Sequence, residues 1–164
     1  MKKFIVTMAL ALVSFGTSAE QVKEKYYTNC QVADVVDDFT DEVSHGFACS
    51  STEGINTTEM NFLVSDYLAM GVKTGWTFSM DDSVNVKIRV DKNSVVSGSW
   101  HLTDGGHAVL FNDVLLFNSL LKQLAAGNRV TIQVGDEKGS IPLKGSARAI
   151  ADFKQRIAHL NLIQ

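Results

Sequence analysis

Val84-Asn85-Val86-Lys87-Ile88-Arg89-Val90-Asp91 is the stretch that decides the fold. Apolar and polar residues alternate strictly along it. A period of two puts Val84, Val86, Ile88 and Val90 on one side of an extended chain, and Asn85, Lys87, Arg89 and Asp91 on the other. Such a segment reads as a strand with one face buried, and its β-branched residues suit a pleated surface. Turns bracket it, Asp81-Asp82-Ser83 before and Asp91-Lys92-Asn93 after. Residues 94–103, with Trp100 and Leu102, read as the next strand. Asp104-Gly105-Gly106 then closes a hairpin onto residues 107–111, because Gly tolerates the positive φ of such turns.

The same reasoning extends outward in both directions. Residues 20–29 read as a polar lead-in, 27–36 as a strand, 37–42 as an acidic turn and 43–50 as a returning strand. Residues 51–58 are rich in Ser, Thr, Gly and Asn and read as a loop. Residues 60–67 and 70–80 read as two strands joined by a turn near Met70-Gly71. On the other side the period changes. Asn112 is a candidate helix cap, followed by Val114, Leu115, Phe117, Leu120, Leu121 and Leu124 at helical spacing, with Gly127 as a C′ residue. Val130, Ile132 and Val134 alternate as a strand, residues 135–139 turn it, and 141–144 follow. Gly145-Ser146 opens a last helix, with Ser146 as cap and Ala147, Ile150, Phe153, Ile157 and Leu160 as its apolar stripe. The expected architecture is α+β: a mostly antiparallel β-sheet or β-sandwich with two helices packed on it.

Met1-Lys2-Lys3, the apolar run of residues 4–15 and Gly16-Thr17-Ser18-Ala19 read as a secretory signal peptide over residues 1–19. The run is shorter than the ~20 apolar residues of a spanning helix. Thr17 and Ala19 supply the small residues of a cleavage site before Glu20, and no cysteine follows to carry a lipid. Residues 20–164 are expected to form a single β-rich domain, periplasmic or secreted, with no membrane span. Loss of Lys2 and Lys3 leaves 13 basic residues against 18 acidic, a formal charge of −5. That balance argues against nucleic acid as a partner and against attraction to anionic lipid. Cys30 and Cys49 are the two cysteines. An even count in an exported chain reads as a disulfide. Its loop of about 20 residues would be worth roughly 3 kcal/mol in the chain-entropy model.

Candidate chemistry is sparse. His101 and His107 flank the Asp104 turn, and the three are weak candidates for a metal site, since no further ligand stands near them and exposed hairpin histidines are the plainer reading. Asp37, Asp38, Asp41 and Glu42 lack the spacing of a Ca²⁺ loop and read as a solvated turn. No G-x-S-x-G elbow, G-x-G-x-x-G, P-loop or H-E-x-x-H occurs, so no catalytic residue and no cofactor are assigned. Asn56-Thr57-Thr58 matches a glycosylation sequon that suits a loop. Trp100 reads as a core residue. If it faces outward, it joins Arg89 and Asp91 as a possible binding surface. Arg89 and Asp91 could otherwise pair with each other.

From Trp76 onward the order of landmarks is Asp81-Asp82-Ser83, Ile88-Arg89-Val90-Asp91, Trp100, Val109-Leu110-Phe111, Phe117, Leu120-Leu121, the alternating strand of Val130, Ile132 and Val134, and Leu143-Lys144-Gly145-Ser146 before Ala149-Ile150. This order resembles the small exported proteins associated with type VI secretion, the TagO/VasI-like group, over about half of the mature chain. It departs from them in having no cysteine in its C-terminal half. The resemblance implies a shared architecture and an accessory or interaction protein of the envelope. The functional expectation is a non-catalytic protein that engages another envelope protein or a cell-wall component. The alternatives are an inhibitor of a lysozyme-type hydrolase and a small metal-dependent hydrolase using His101, Asp104 and His107. The oligomeric state stays open.

Overall fold

The computed structural model describes residues 21–37, 40–53, 56–74, 83–103 and 107–162. The signal segment, Asp38, Trp76, Asp81-Asp82 and the Asp104-Gly105-Gly106 turn lie outside the described residues. Ten strands are present: β1 (Gln21–Tyr27), β2 (Cys30–Val36), β3 (Val43–Glu53), β4 (Asn56–Val64), β5 (Leu68–Lys73), β6 (Ser83–Val90), β7 (Val96–Leu102), β8 (Ala108–Phe111), β9 (Arg129–Val134) and β10 (Glu137–Pro142). They form one sheet in the order β1-β2-β3-β4-β5-β8-β7-β6-β9-β10, and every neighbouring pair is antiparallel. Two helices, α1 (Val114–Ala126) and α2 (Ser146–Arg156), complete the α+β fold.

Alternation in β6 sets the inner face. Val86, Ile88 and Val90 pair with Val134, Ile132 and Val130 of β9, and all six are buried. The same parity runs through the other half of the sheet. Val32 pairs with Phe47, Phe47 with Phe62, Phe62 with Met70, and Met70 with Leu110. The sheet curls about this face until β10 meets β4. A Cβ on Gly139 would lie 1.9 Å from the Thr58 hydroxyl, so only glycine permits the approach.

Helix α1 starts at Asp113, whose carboxylate accepts from the Leu116 amide at 2.9 Å and satisfies one of the free first-turn donors. Phe117, Leu120, Leu121 and Leu124 are its buried face, at the i, i+3, i+4, i+7 positions of one helix side. In α2 the buried residues are Ser146, Ala149, Ile150 and Phe153. Phe117 and Phe153 meet Phe62 and Phe47 with ring centroids 5.6 and 5.8 Å apart, and each other at 6.3 Å. Offset and edge contacts of this kind contribute beyond area burial.

Several sequence expectations are corrected. Residues 21–27 are an edge strand, because β2 supplies seven register partners for a polar segment. The expected 27–36 strand is interrupted by a turn at Thr28, which takes φ +59°. Residues 51–58 are mostly strand, since β3 and β4 stay paired as far as Glu53 and Asn56. Met70-Gly71 lies inside β5, and the turn falls at residues 65–67. Asp113, not Asn112, caps α1. Asn112 takes φ +58°, and its side chain accepts from the Leu68 amide. Gly127 has φ −88°. What favours glycine there is crowding, since a Cβ would sit 2.4 Å from Val90. Gly145 (φ +94°), not Ser146, is the N-cap of α2, and a Cβ on it would press to 2.1 Å from the Tyr27 carbonyl. The buried Ser146 hydroxyl donates toward the Leu124 and Leu143 carbonyls at 2.8 and 2.9 Å, tying the start of α2 to the end of α1. Ala147 is exposed, and Ala149 takes its place in the stripe.

Candidate functional site: a cleft where the sheet splits

Strands β7 and β8 share only two register pairs, His101 with Val109 and Leu102 with Ala108. Beyond them β7 follows β6 down to Val96, while β8 ends at Phe111 and the chain turns into α1. The two separate, and the backbone of residues 96–100 keeps a strand partner on one side only among the described residues. A cleft of about 200 Å³ opens in the gap. Val86, Ile88 and residues 96–100, with Ser97 and Ser99 among them, line it from the sheet, and Leu110, Asp113 and Leu116 from the opposite wall.

Gly98 makes room for this cleft. It pairs with Val86, on the inward side, where any larger residue would fill the space. A Cβ there would lie 3.6 Å from the Trp100 indole nitrogen, an ordinary contact. Leu115 stands in the first turn of α1 and is 80% exposed. Phe111 is half exposed, and its ring lies 6.3 Å from that of exposed Tyr67. None of the three lines the cleft: Leu110 and Leu116 do, and Phe111, next to Leu110 in β8, takes the opposite face of the sheet.

Trp100 is buried, as a core residue, and also lines the cleft. Arg89 and Asp91 do not line it. The Asp91 carboxylate accepts from the backbone amides of Asn128 and Arg129 at 2.9 and 3.0 Å, fixing the start of β9. The Arg89 guanidinium donates to the Asn93 carbonyl at 3.1 Å, so the expected pairing of Arg89 with Asp91 is replaced by these contacts. His101 is exposed, but His107 is buried and lies 3.0 Å from the Glu59 carboxylate. The reading of both histidines as exposed is therefore corrected for His107. The hydrogen bond to His107 holds the Glu59 carboxyl below its usual range, against the opposing effect of burial. No group of three metal-ligating side chains occurs among the described residues, and Asp104 lies outside them.

A second cluster lies between α2 and the first three strands. Arg156 reaches Asp34 at 2.7 Å and Asp152 at 3.2 Å. Tyr27 donates to Asp152 at 2.6 Å, Lys25 lies 3.2 Å from it, and His45 lies 2.8 Å from Asp34. Burial pushes the Asp152 carboxyl up, but hydrogen bonds from Tyr27, Arg156 and Lys25 outweigh it and hold the group at about 2. The contacts of Arg156 with Asp34 and of Tyr27 and Lys25 with Asp152 join residues more than 100 positions apart, which no local pattern signals. The cluster clamps α2 to the sheet and is internally paired. Nearby, Cys30 and Cys49 are direct register partners joined by a disulfide, with Cα atoms 4.0 Å apart.

The fold and site together define an α+β protein with a ten-stranded antiparallel sheet, a disulfide and an apolar cleft. No helix among the described residues is long and apolar enough to cross a membrane. No family model matches the chain and no curated protein matches it. Among solved structures it is similar to the crystal structure of invasion associated protein B from Bartonella henselae, with a TM-score of 0.58 and 11% identity over 84% of this chain and 98% of that one. At that identity the likeness shows the fold alone.

Proposed function

We propose that this chain is a non-catalytic binding protein of the bacterial envelope, exported after cleavage behind Ala19, that engages a partner protein through the cleft beside β7. The observation that carries the reading is the split between β7 and β8. It leaves one edge of residues 96–100 without a strand partner among the described residues, next to an apolar cavity. An extended partner segment can use the free backbone groups of such an edge and seat an apolar side chain in the cavity. Ser97, Gly98 and Ser99 are exposed and small, and they carry neither the charge nor the proline that usually guards an edge. A place beside a type VI secretion apparatus, as implied by the TagO/VasI-like resemblance, is one setting for such a protein.

The test is site-specific photo-crosslinking in cells. A photoreactive residue at position 99, on the cleft's edge, is expected to capture a discrete envelope protein, and Gly98→Leu, which fills the cleft, is expected to abolish that product. Capture that persists unchanged in folded Gly98→Leu protein would sink the cleft as the site. An intracellular product that still carries residues 1–19 would sink the proposed location.

A further inference from the structure

The outward positions of β7, β6, β9 and β10 form a second surface, which adjoins the cleft at Ser97 and Ser99. Lys87 pairs with Gln133, which pairs with Lys138. Arg89 pairs with Thr131, which pairs with Ser140, and Arg129 follows on β9. Lys87, Arg89, Arg129 and Lys138 are all exposed. No ion pair neutralises them among the described residues. That is a clear contrast with Lys25 and Arg156, which are paired with Asp34 and Asp152. The outward side chains of these four strands include no carboxylate. Asp91, at the end of β6, spends its oxygens on backbone amides. Asp136 sits in the β9–β10 turn, and Glu137 pairs with Val134, on the opposite parity from Lys138.

Neutral groups hold the guanidinium groups in place. Arg129 donates to the Ser140 hydroxyl at 2.8 Å and Arg89 to the Asn93 carbonyl at 3.1 Å, so both are positioned while keeping their full charge. Strands are ~4.8 Å apart, which puts Lys87 and Lys138 roughly 10 Å from each other across β9. A chain with more acidic than basic residues thus presents one face with four exposed cations and a single carboxylate, Asp91, at its edge. Such a face attracts anions regardless of the net charge.

We propose that this face binds an anionic polysaccharide, a linear glycan bearing carboxylate or phosphate groups. The cations match spaced negative charges. Beside them stand Asn85, Thr131, Gln133 and Ser140, whose hydroxyls and amides can both donate to and accept from sugar hydroxyls. The face offers no Phe, Tyr or Trp for stacking on nucleic-acid bases, and none of its outward side chains is a large apolar group that could anchor in lipid.

The experiment measures binding of the full mature chain to polygalacturonate at low ionic strength, beside neutral dextran, a DNA duplex and vesicles containing phosphatidylglycerol. Polygalacturonate is expected to bind, dextran is not, and affinity is expected to fall steeply with added salt. Lys87→Glu/Lys138→Glu is expected to weaken binding roughly tenfold or more, and Lys87→Gln/Lys138→Gln by a smaller factor. Lys122→Glu, which alters net charge on exposed α1, is expected to leave it unchanged, and so is Gly98→Leu. Absent binding, or equal loss in Lys122→Glu and the Lys87/Lys138 variants, would overturn the proposal. Tighter binding to DNA or vesicles than to the glycan would also overturn it. Because the cleft variant is a separate arm, failure here leaves the cleft reading standing, and the reverse holds too.

Discussion

The two halves of the sheet handle charge in opposite ways. In the half built from β1 to β5 with β8, charged side chains are drawn into tertiary contacts. Arg156 and His45 meet Asp34, Lys25 and Tyr27 meet Asp152, and Glu59 meets His107. This half also carries the disulfide and the aromatic contacts to both helices. In the half built from β6, β7, β9 and β10 the outward charges stand unneutralised, and the strands are held by their ladders and the apolar layer beneath. The halves meet at the two-residue pairing of β7 and β8. The lesson is that an ion pair forms where a second element lies across the sheet, and an exposed cation remains where none does.

The largest test of this contrast is the shared core. Phe117→Ala removes a ring that touches Phe62 and Phe153 and is expected to cost about 3–5 kcal/mol. Thermal unfolding measures it. A loss under 1 kcal/mol would show that the helices do not brace the first half. Next comes Cys30→Ser/Cys49→Ser, expected to cost roughly 3 kcal/mol. Hydrogen exchange should quicken in β2 and β3 more than in β6 and β9, and equal quickening everywhere would erase the distinction between the halves.

The acid limb gives a smaller effect. The Asp152 carboxyl is held at about 2 in the folded chain, below an unfolded value near 3.9. A depressed value means the unfolded chain takes up protons first. The contribution is therefore complete above about pH 4 and fades as pH falls toward 2. Asp152→Asn is expected to flatten the pH dependence of stability in that window, and an unchanged profile would remove the clamp as an acid-sensitive element. The smallest expected change is Lys87→Glu, within about 0.5 kcal/mol of the parent because the side chain is exposed and unpaired. A larger loss in unfolding measurements would mean that the second half depends on its cations for stability.

Periodicity was a good guide wherever one face of an element is buried by apolar side chains. The β6 and β9 strands and most of the buried face of each helix, Leu115 and Ala147 excepted, were legible because their periodicity reflects a local burial pattern. The disulfide was legible from the even count of cysteines. β1 was not, because Lys23-Glu24-Lys25 has no apolar face, and its strand state comes from its pairing with β2. The seam at β7 and β8 was equally hidden, since 94–103 reads as one strand and nothing local tells where its second partner leaves. The burial of His107 depends on Glu59, 48 residues away.

By itself, the order of residues determined the α+β class, the antiparallel strands, the two helices and the cysteine staple, because each follows from short-range geometry and composition. Tertiary structure alone decided where β7 parts from β8, which charges are paired and which face is left positive. Those outcomes depend on which distant segments arrive beside a side chain. Net charge says nothing of where the exposed cations lie. It adds charges over the whole chain, whereas a partner meets only the face turned toward it.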